Sequence, residues 1–177
     1  DFGFSIISST SCNTEATWIS EVQGTAATSP LEGQTVDVEA IVTADFQEQE
    51  DGSLLGFFIQ EEGFDYDDNE RSSEGLFVYN NGFGPRVSIG DRVRIRAQVA
   101  ERDGATILTQ VRDLKVCASK QDLPPAALIQ LPQDSSTVLE AVEGMRVSFP
   151  QKLTIVFNHE LGETGELSLS SSGLQLQ

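Results

Sequence analysis

Arg92, Arg94 and Arg96 recur every second residue in the stretch Val87 to Val111, VSIGDRVRIRAQVAERDGATILTQV, and polar and apolar residues alternate from Arg92 to Val99. That period belongs to a half-buried strand: Val93, Ile95, Ala97 and Val99 turn to one side and the three guanidinium groups to the other. Arg112 and Lys115 follow on the returning strand. A row of cations of this kind suits phosphate oxygens, and it equally suits internal ion pairs with carboxylates.

The row is a local exception in an acidic chain. The 177 residues carry a formal net charge of -17, yet eight of the eleven Lys and Arg lie between positions 86 and 120. A field of that sign repels a phosphate backbone from the surface as a whole, so any polyanion would have to be met at this one strip.

A second group of residues with chemical potential is the acidic loop EEGFDYDDNERSSE, Glu61 to Glu74. Its Asp65, Asp67, Asp68, Asn69 and Glu70 are oxygen donors of the type calcium takes six to eight of, although the glycine and distant glutamate of a calcium loop are out of register. Calcium is therefore a candidate ligand; the alternative is a solvated loop, and no cofactor is required. Cys12 and Cys117 lack metal-ligand or redox-motif spacing, which leaves a disulfide or two reduced thiols. A bridge would close a loop of roughly 105 residues, worth about 4–5 kcal/mol in the chain-entropy model, and would imply an oxidising compartment. His159 is the single histidine. It stands in FNHELGETG without a nucleophile or ligand set around it and reads as a loop residue, and no Ser-His-Asp or Cys-His constellation can be assembled. No catalytic residue is assigned, and catalysis by this chain is not expected.

The elements that must carry these residues are almost all strands. Thr17 to Val22 is a candidate strand and Gly24 to Gly33 a loop. Gln34 to Phe46 alternates, with a bulge expected near Ile41 and Val42. Asp51-Gly52 makes a turn before the strand Leu54 to Gln60, and Gly75 to Tyr79 is the next strand. Arg92 onward then forms a hairpin turning at Asp103-Gly104. Phe77 and Tyr79 share one face of their strand, and Phe58 and Gln60 one face of theirs. Phe77 and Tyr79 are expected to pack under the amino-terminal arm, with Tyr79 a candidate stacking residue for nucleic acid.

Beyond Ala118, Asp122 to Pro132 reads as an extended Pro-containing linker, and Ser135 to Glu143 as a capped helix ended by Gly144. Met145 to Phe149, Leu153 to Phe157 and Glu166 to Leu169 read as strands without obvious partners, as though the chain were cut short. The expected class is all-β: an OB-fold-like five-stranded barrel over residues 34–118 with an amino-terminal arm (1–33), a linker (119–134) and a β-rich extension with one short helix (135–177). No segment is long enough to span a bilayer.

Several blocks together carry a resemblance: WISEVQGTAATSPLEGQTVDVEAIVTADF, GFFIQEE, SSEGLFVY, VSIGDRVRIRAQVAE and LEAVEGMRVSFPQKLTIVFNHELGETGELSLS. They resemble the region that precedes the catalytic domain in large secreted bacterial nucleases of the endonuclease/exonuclease/phosphatase superfamily, over about residues 17 to 170. The resemblance implies a secreted, extracellular OB-fold domain that helps hold or present DNA or RNA to a metal-dependent nuclease domain, which this sequence does not include. Arg92, Arg94, Arg96, Arg112 and Lys115 would then contact phosphate. Two other readings stand beside it: an interaction module that packs on the catalytic domain without binding nucleic acid, and a calcium- or carbohydrate-binding domain.

Overall fold

The computed structural model describes residues 11–48, 54–67, 69–133, 135–162 and 167–173. The Asp51-Gly52 turn, Asp68 of the acidic loop, Glu166 and the first ten residues of the expected arm lie outside them.

Five strands pair edge to edge and close on themselves: β1 (Thr35–Phe46), β2 (Gly56–Gln60), β3 (Gly75–Tyr79), β4 (Arg92–Arg102) and β5 (Ala105–Ala118), in the order β1-β2-β3-β5-β4 with β4 returning to β1. All contacts are antiparallel except β3 with β5, which run parallel through Phe77 opposite Ile107 and Val78 opposite Leu108. The expected alternation holds in β4, where Val93, Ile95, Ala97 and Val99 are fully buried. They meet Val36, Val38, Phe57, Ile59, Leu76, Val78 and Leu108 in one core. Asp103 and Gly104 turn the β4–β5 hairpin with φ of 55° and 85°, a pairing that Asp-Gly adopts readily in two-residue hairpins. The bulge in β1 falls between Val42 and Ala44, within two residues of its expected place.

Residues 17–22 differ from expectation. Ile19–Gln23 form a short helix, α1, rather than a strand. Two carboxylates satisfy its first amides: Glu21 accepts the Trp18 N–H at 3.3 Å, and Glu61 accepts the Ile19 N–H at 2.9 Å. Ile19 and Val22, three residues apart, both enter the barrel core with no exposure.

The segment after the barrel is fastened to it. Short strands β6 (Ala127–Leu128) and β7 (Val147–Ser148) pair in parallel, and α2 (Ser136–Glu140) lies between them, its first turn capped by the Ser135 hydroxyl. Gly144, at φ 68°, lets the chain pass directly over Gly75, where a Cβ would stand 2.4 Å from the Gly144 carbonyl carbon and from the Met145 nitrogen. Glu143 holds this crossing: its Oε1 accepts from the Thr106 N–H at 2.8 Å, and its carbonyl accepts from the Ser73 hydroxyl. The last strands, β8 (Thr154–Phe157) and β9 (Ser168–Ser170), form an antiparallel pair that leaves Ile155, Val156 and Phe157 exposed. No helix among the described residues is long and apolar enough to cross a membrane.

Candidate nucleic-acid interface

The arginine row lies on the outer face of β4, as the alternation requires, but residues from both sides cover it. Register places Asp37 of β1 opposite Arg96 and Glu39 opposite Arg94. Arg96 donates to Asp37 at 2.9 and 2.6 Å. Arg94 is 2% exposed: its two terminal nitrogens donate to the Thr14 and Glu15 carbonyls at 2.8 and 2.6 Å, and Glu39 lies 3.5 Å away. Arg92 donates to Asn13 Oδ1 at 2.7 Å and faces Glu39 at 3.5 Å. Lys115, opposite Arg94 on β5, is 3.4 Å from Asp113. Arg112 stands at the exposed surface of the irregular stretch of β5 after Gln110.

A phosphate therefore cannot reach Arg94 while residues 13–15 lie over it, and of the five residues read as phosphate contacts only Arg112 is exposed. The physical reason is register: β1 sets its acidic positions beside the basic ones, and the amino-terminal segment supplies backbone carbonyls to the guanidinium that would otherwise face water. Cys12 and Cys117 form a disulfide with Cα atoms 5.7 Å apart, which pins that segment to β5 beside the row.

A second outer face carries the aromatics. On β2 and β3, Phe57, Ile59, Leu76 and Val78 point inward, so Phe58, Phe77 and Tyr79 point outward and are half-buried. Phe58 and Phe77 are direct cross-strand partners with ring centroids 4.9 Å apart, and Phe46 at the end of β1 meets Phe58 edge-on at 6.2 Å. Gly56 makes room for this row, since a Cβ there would stand 2.5 Å from the Phe77 ring and 2.2 Å from the Val78 carbonyl. At the far end the Arg102 guanidinium lies 5.2 Å from the centre of the Tyr79 ring, within cation–π range. At the near end Phe46 and Phe58 join Met145 and Arg146 around a cleft of about 340 Å³. Arg146 is anchored there by the Pro124 carbonyl, and its N–H bonds to Gln60 Oε1 at 2.9 Å.

Met145 and Arg146 of the carboxy-terminal segment border Phe58, and the first ten residues of the arm expected over Phe77 and Tyr79 lie outside the described residues. Tyr79 was legible as an outward residue from alternation. Phe46, Arg102 and Arg146 were not, because each is brought to the face from another strand end or from a segment distant in sequence.

The acidic loop spends its side chains on itself. Asp67 accepts from the Asn69 N–H at 2.9 Å and the Ser72 hydroxyl at 2.8 Å, and Asn69 Oδ1 accepts from the Arg71 N–H. Asp65 lies apart from this network, and Glu70 is exposed. Among the described residues no three acidic, histidine or cysteine side chains gather as a metal site. What the loop does enclose is a pair of buried glutamates. Glu61 is pushed up to about 8, chiefly by burial and further by Glu74, Asp65 and Glu62, against the opposing hydrogen bond from Ile19. Glu74 is pushed up to about 7, again chiefly by burial, while its Oε1 accepts from the Asp67 N–H. His159 lies in a short 3-10 turn beside Phe157, with ring centroids 6.1 Å apart.

Compared with protein-family models, with curated proteins and with solved structures, the chain matches none.

Proposed function

We propose that this chain is a non-catalytic accessory domain of the OB type from a secreted nuclease, and that it holds nucleic acid on the aromatic face of β2 and β3. The observation that carries the reading is the half-buried row Phe58, Phe77 and Tyr79, joined by Phe46, on the outside of a closed five-stranded barrel and bracketed by Arg146 and Arg102. Aromatic faces accept unpaired bases of any sequence, and the two flanking cations suit a phosphate backbone running along the row. The β4 arginines hold the barrel and the amino-terminal segment together in this reading. Phosphate contact moves to Arg102, Arg146 and Arg112, and Lys115 and Arg96 belong to the ion-paired surface of β4 and β5.

The test is fluorescence anisotropy with labelled single-stranded and duplex DNA at low and moderate salt. Single-stranded binding is expected to weaken with salt, and Phe46→Ala with Phe58→Ala to weaken it by about tenfold or more, since each stacked base contributes about 1–3 kcal/mol. Thermal melts of the variant confirm that it folds. Absence of binding at low salt would remove the nucleic-acid role.

A second reading has its own observation. Ile155, Val156 and Phe157 are consecutive, apolar and exposed on the two-stranded β8–β9 pair, which is marginal without a further layer. This pair suits an interdomain contact with the catalytic domain of the parent protein. Loss of soluble, monodisperse behaviour on appending that domain to an Ile155→Ser, Phe157→Ser chain, with none in the unaltered chain, is the expected result.

A further inference from the structure

The segment before α1 and the loop between β2 and β3 enclose a groove of about 550 Å³, on the Arg92 side of the barrel. Two aromatic side chains stand in its wall where water would normally disfavour them. Trp18 is 44% exposed and Phe64 81% exposed. Both are large apolar surfaces held open on short, anchored backbone: Trp18 by the carboxylate of Glu21, and the Phe64 turn by the Asp65 N–H bond to the Glu62 carbonyl at 2.7 Å.

Between the aromatics five carboxylates face a single cation, Arg92. Glu15, Glu62 and Asp65 line the groove, and among the described residues their carboxylates accept no hydrogen bond. Arg92 is hydrogen-bonded to Asn13 and faces Glu39, and its charge also acts on Glu62. Burial raises the Glu62 and Asp65 carboxyls above their ordinary range, at Glu62 against the opposing charge of Arg92, so both gain from an arriving positive charge. An anion would be repelled here, and a neutral apolar ligand would leave the carboxylates desolvated without a partner. A cationic side chain satisfies both halves of the lining: its charge meets the carboxylates, and its aliphatic stem or guanidinium plane lies on the indole and phenyl faces.

We propose that this groove docks a lysine- or arginine-rich segment of a partner protein. The inference is independent of the nucleic-acid reading, since it concerns a different face and the opposite charge of ligand.

Trp18 is the only tryptophan, so its emission reports on the groove directly. The probe is a fluorescein-labelled hexalysine peptide, followed by anisotropy, with unlabelled hexalysine added while Trp18 emission is recorded and the fully acetylated peptide as control. Binding is expected with a change in Trp18 emission, absent for the acetylated peptide. Glu62→Gln with Asp65→Asn is expected to weaken it by about tenfold, and Phe64→Ala, which alters no charge, by about threefold or more. Glu32→Gln with Asp122→Asn removes the same charge at exposed positions outside the groove, and a change below about twofold is expected there. Equal loss from both charge pairs, or binding without any change in Trp18 emission, would show attraction by net charge alone and overturn the proposal. So would absence of binding at low salt.

Discussion

Arg96 and Asp37 face each other as registered partners on β4 and β1, and the guanidinium closes on the carboxylate through Nε at 2.9 Å and a terminal nitrogen at 2.6 Å. A two-point pair of this geometry fixes orientation as well as charge, and Asp37 is the chief cause that holds Arg96 above its ordinary range. The relationship repeats one step along the sheet, where Glu39 faces Arg94. The basic row is thus an internal seam between two strands and the amino-terminal segment.

That seam makes the effect of removing each arginine unequal. Arg94→Ala leaves the Thr14 and Glu15 carbonyls without their donors and is expected to cost about 2–4 kcal/mol in a denaturant titration. Arg96→Ala, with a partly exposed side chain, is expected to destabilise less. Under the proposed role of the aromatic face, neither change is expected to weaken any binding of single-stranded DNA. A loss of DNA binding in Arg96→Ala without loss of stability would return the row to a ligand-binding role.

Stability is expected to fall as pH rises from about 5 to about 8. Glu61 shifts from 4.5 to about 8 and Glu74 to about 7, so the folded state favours their protonated forms. The contribution is complete below the unfolded value near 4.5 and is lost as pH climbs through the folded values. Glu61→Gln keeps an acceptor for the Ile19 N–H while removing the charge. It is expected to stabilise the protein at pH 8 by on the order of 2–3 kcal/mol and to change little at pH 4.5. Thermal melts of both proteins across this range provide the check.

The Cys12–Cys117 bridge closes a sequence separation of 105 residues. Replacing both cysteines with serine is expected to cost about 2–5 kcal/mol, and the same loss should appear on reduction of the unaltered protein. Because the bridge holds the segment that covers Arg94, protease cleavage between residues 11 and 17 should accelerate at the same time. Unchanged cleavage would mean that the Arg94 and Arg92 hydrogen bonds suffice to hold that segment.

Gly75→Ala is expected to loosen the carboxy-terminal segment, since its Cβ would stand 2.4 Å from backbone atoms of Gly144 and Met145. Backbone must shift to relieve that contact, at a cost of about 1–3 kcal/mol. The cleft beside Phe58 would widen, and proteolysis within residues 141–148 should become faster than within β4 or β5.

Much of the fold was legible because its signals are short-range. Strict alternation from Arg92 to Val99 determined β4 and which side chains face inward, and Asp103-Gly104 determined where the hairpin turns. Gly75 to Tyr79 coincides with β3. The stretch from Thr17 to Val22 was misread because six residues contain too few periods to separate a strand from one turn of helix. Its helical form depends on Glu61, forty-two residues away from Ile19, accepting an amide at the helix start.

The candidate sites divide in the same way. The residues themselves determined that three arginines share one face, that the chain is strongly acidic, and that Tyr79 and Phe77 point to the same side. Only tertiary structure decided that Arg94 would be buried, that Arg92 and Arg96 would be paired, and that Phe58 and Phe77 would stand half-buried beside a carboxy-terminal cleft. That outcome depends on β1 bringing Asp37 and Glu39 into register with β4, and on the Cys12 segment lying across it. It also depends on the chain at Gly144 crossing Gly75 and running on beside Phe58, where Met145 and Arg146 share a cleft with it. Alternation tells which way a side chain points, but burial is a property of whatever packs above it, and here those coverings come from segments far away along the chain.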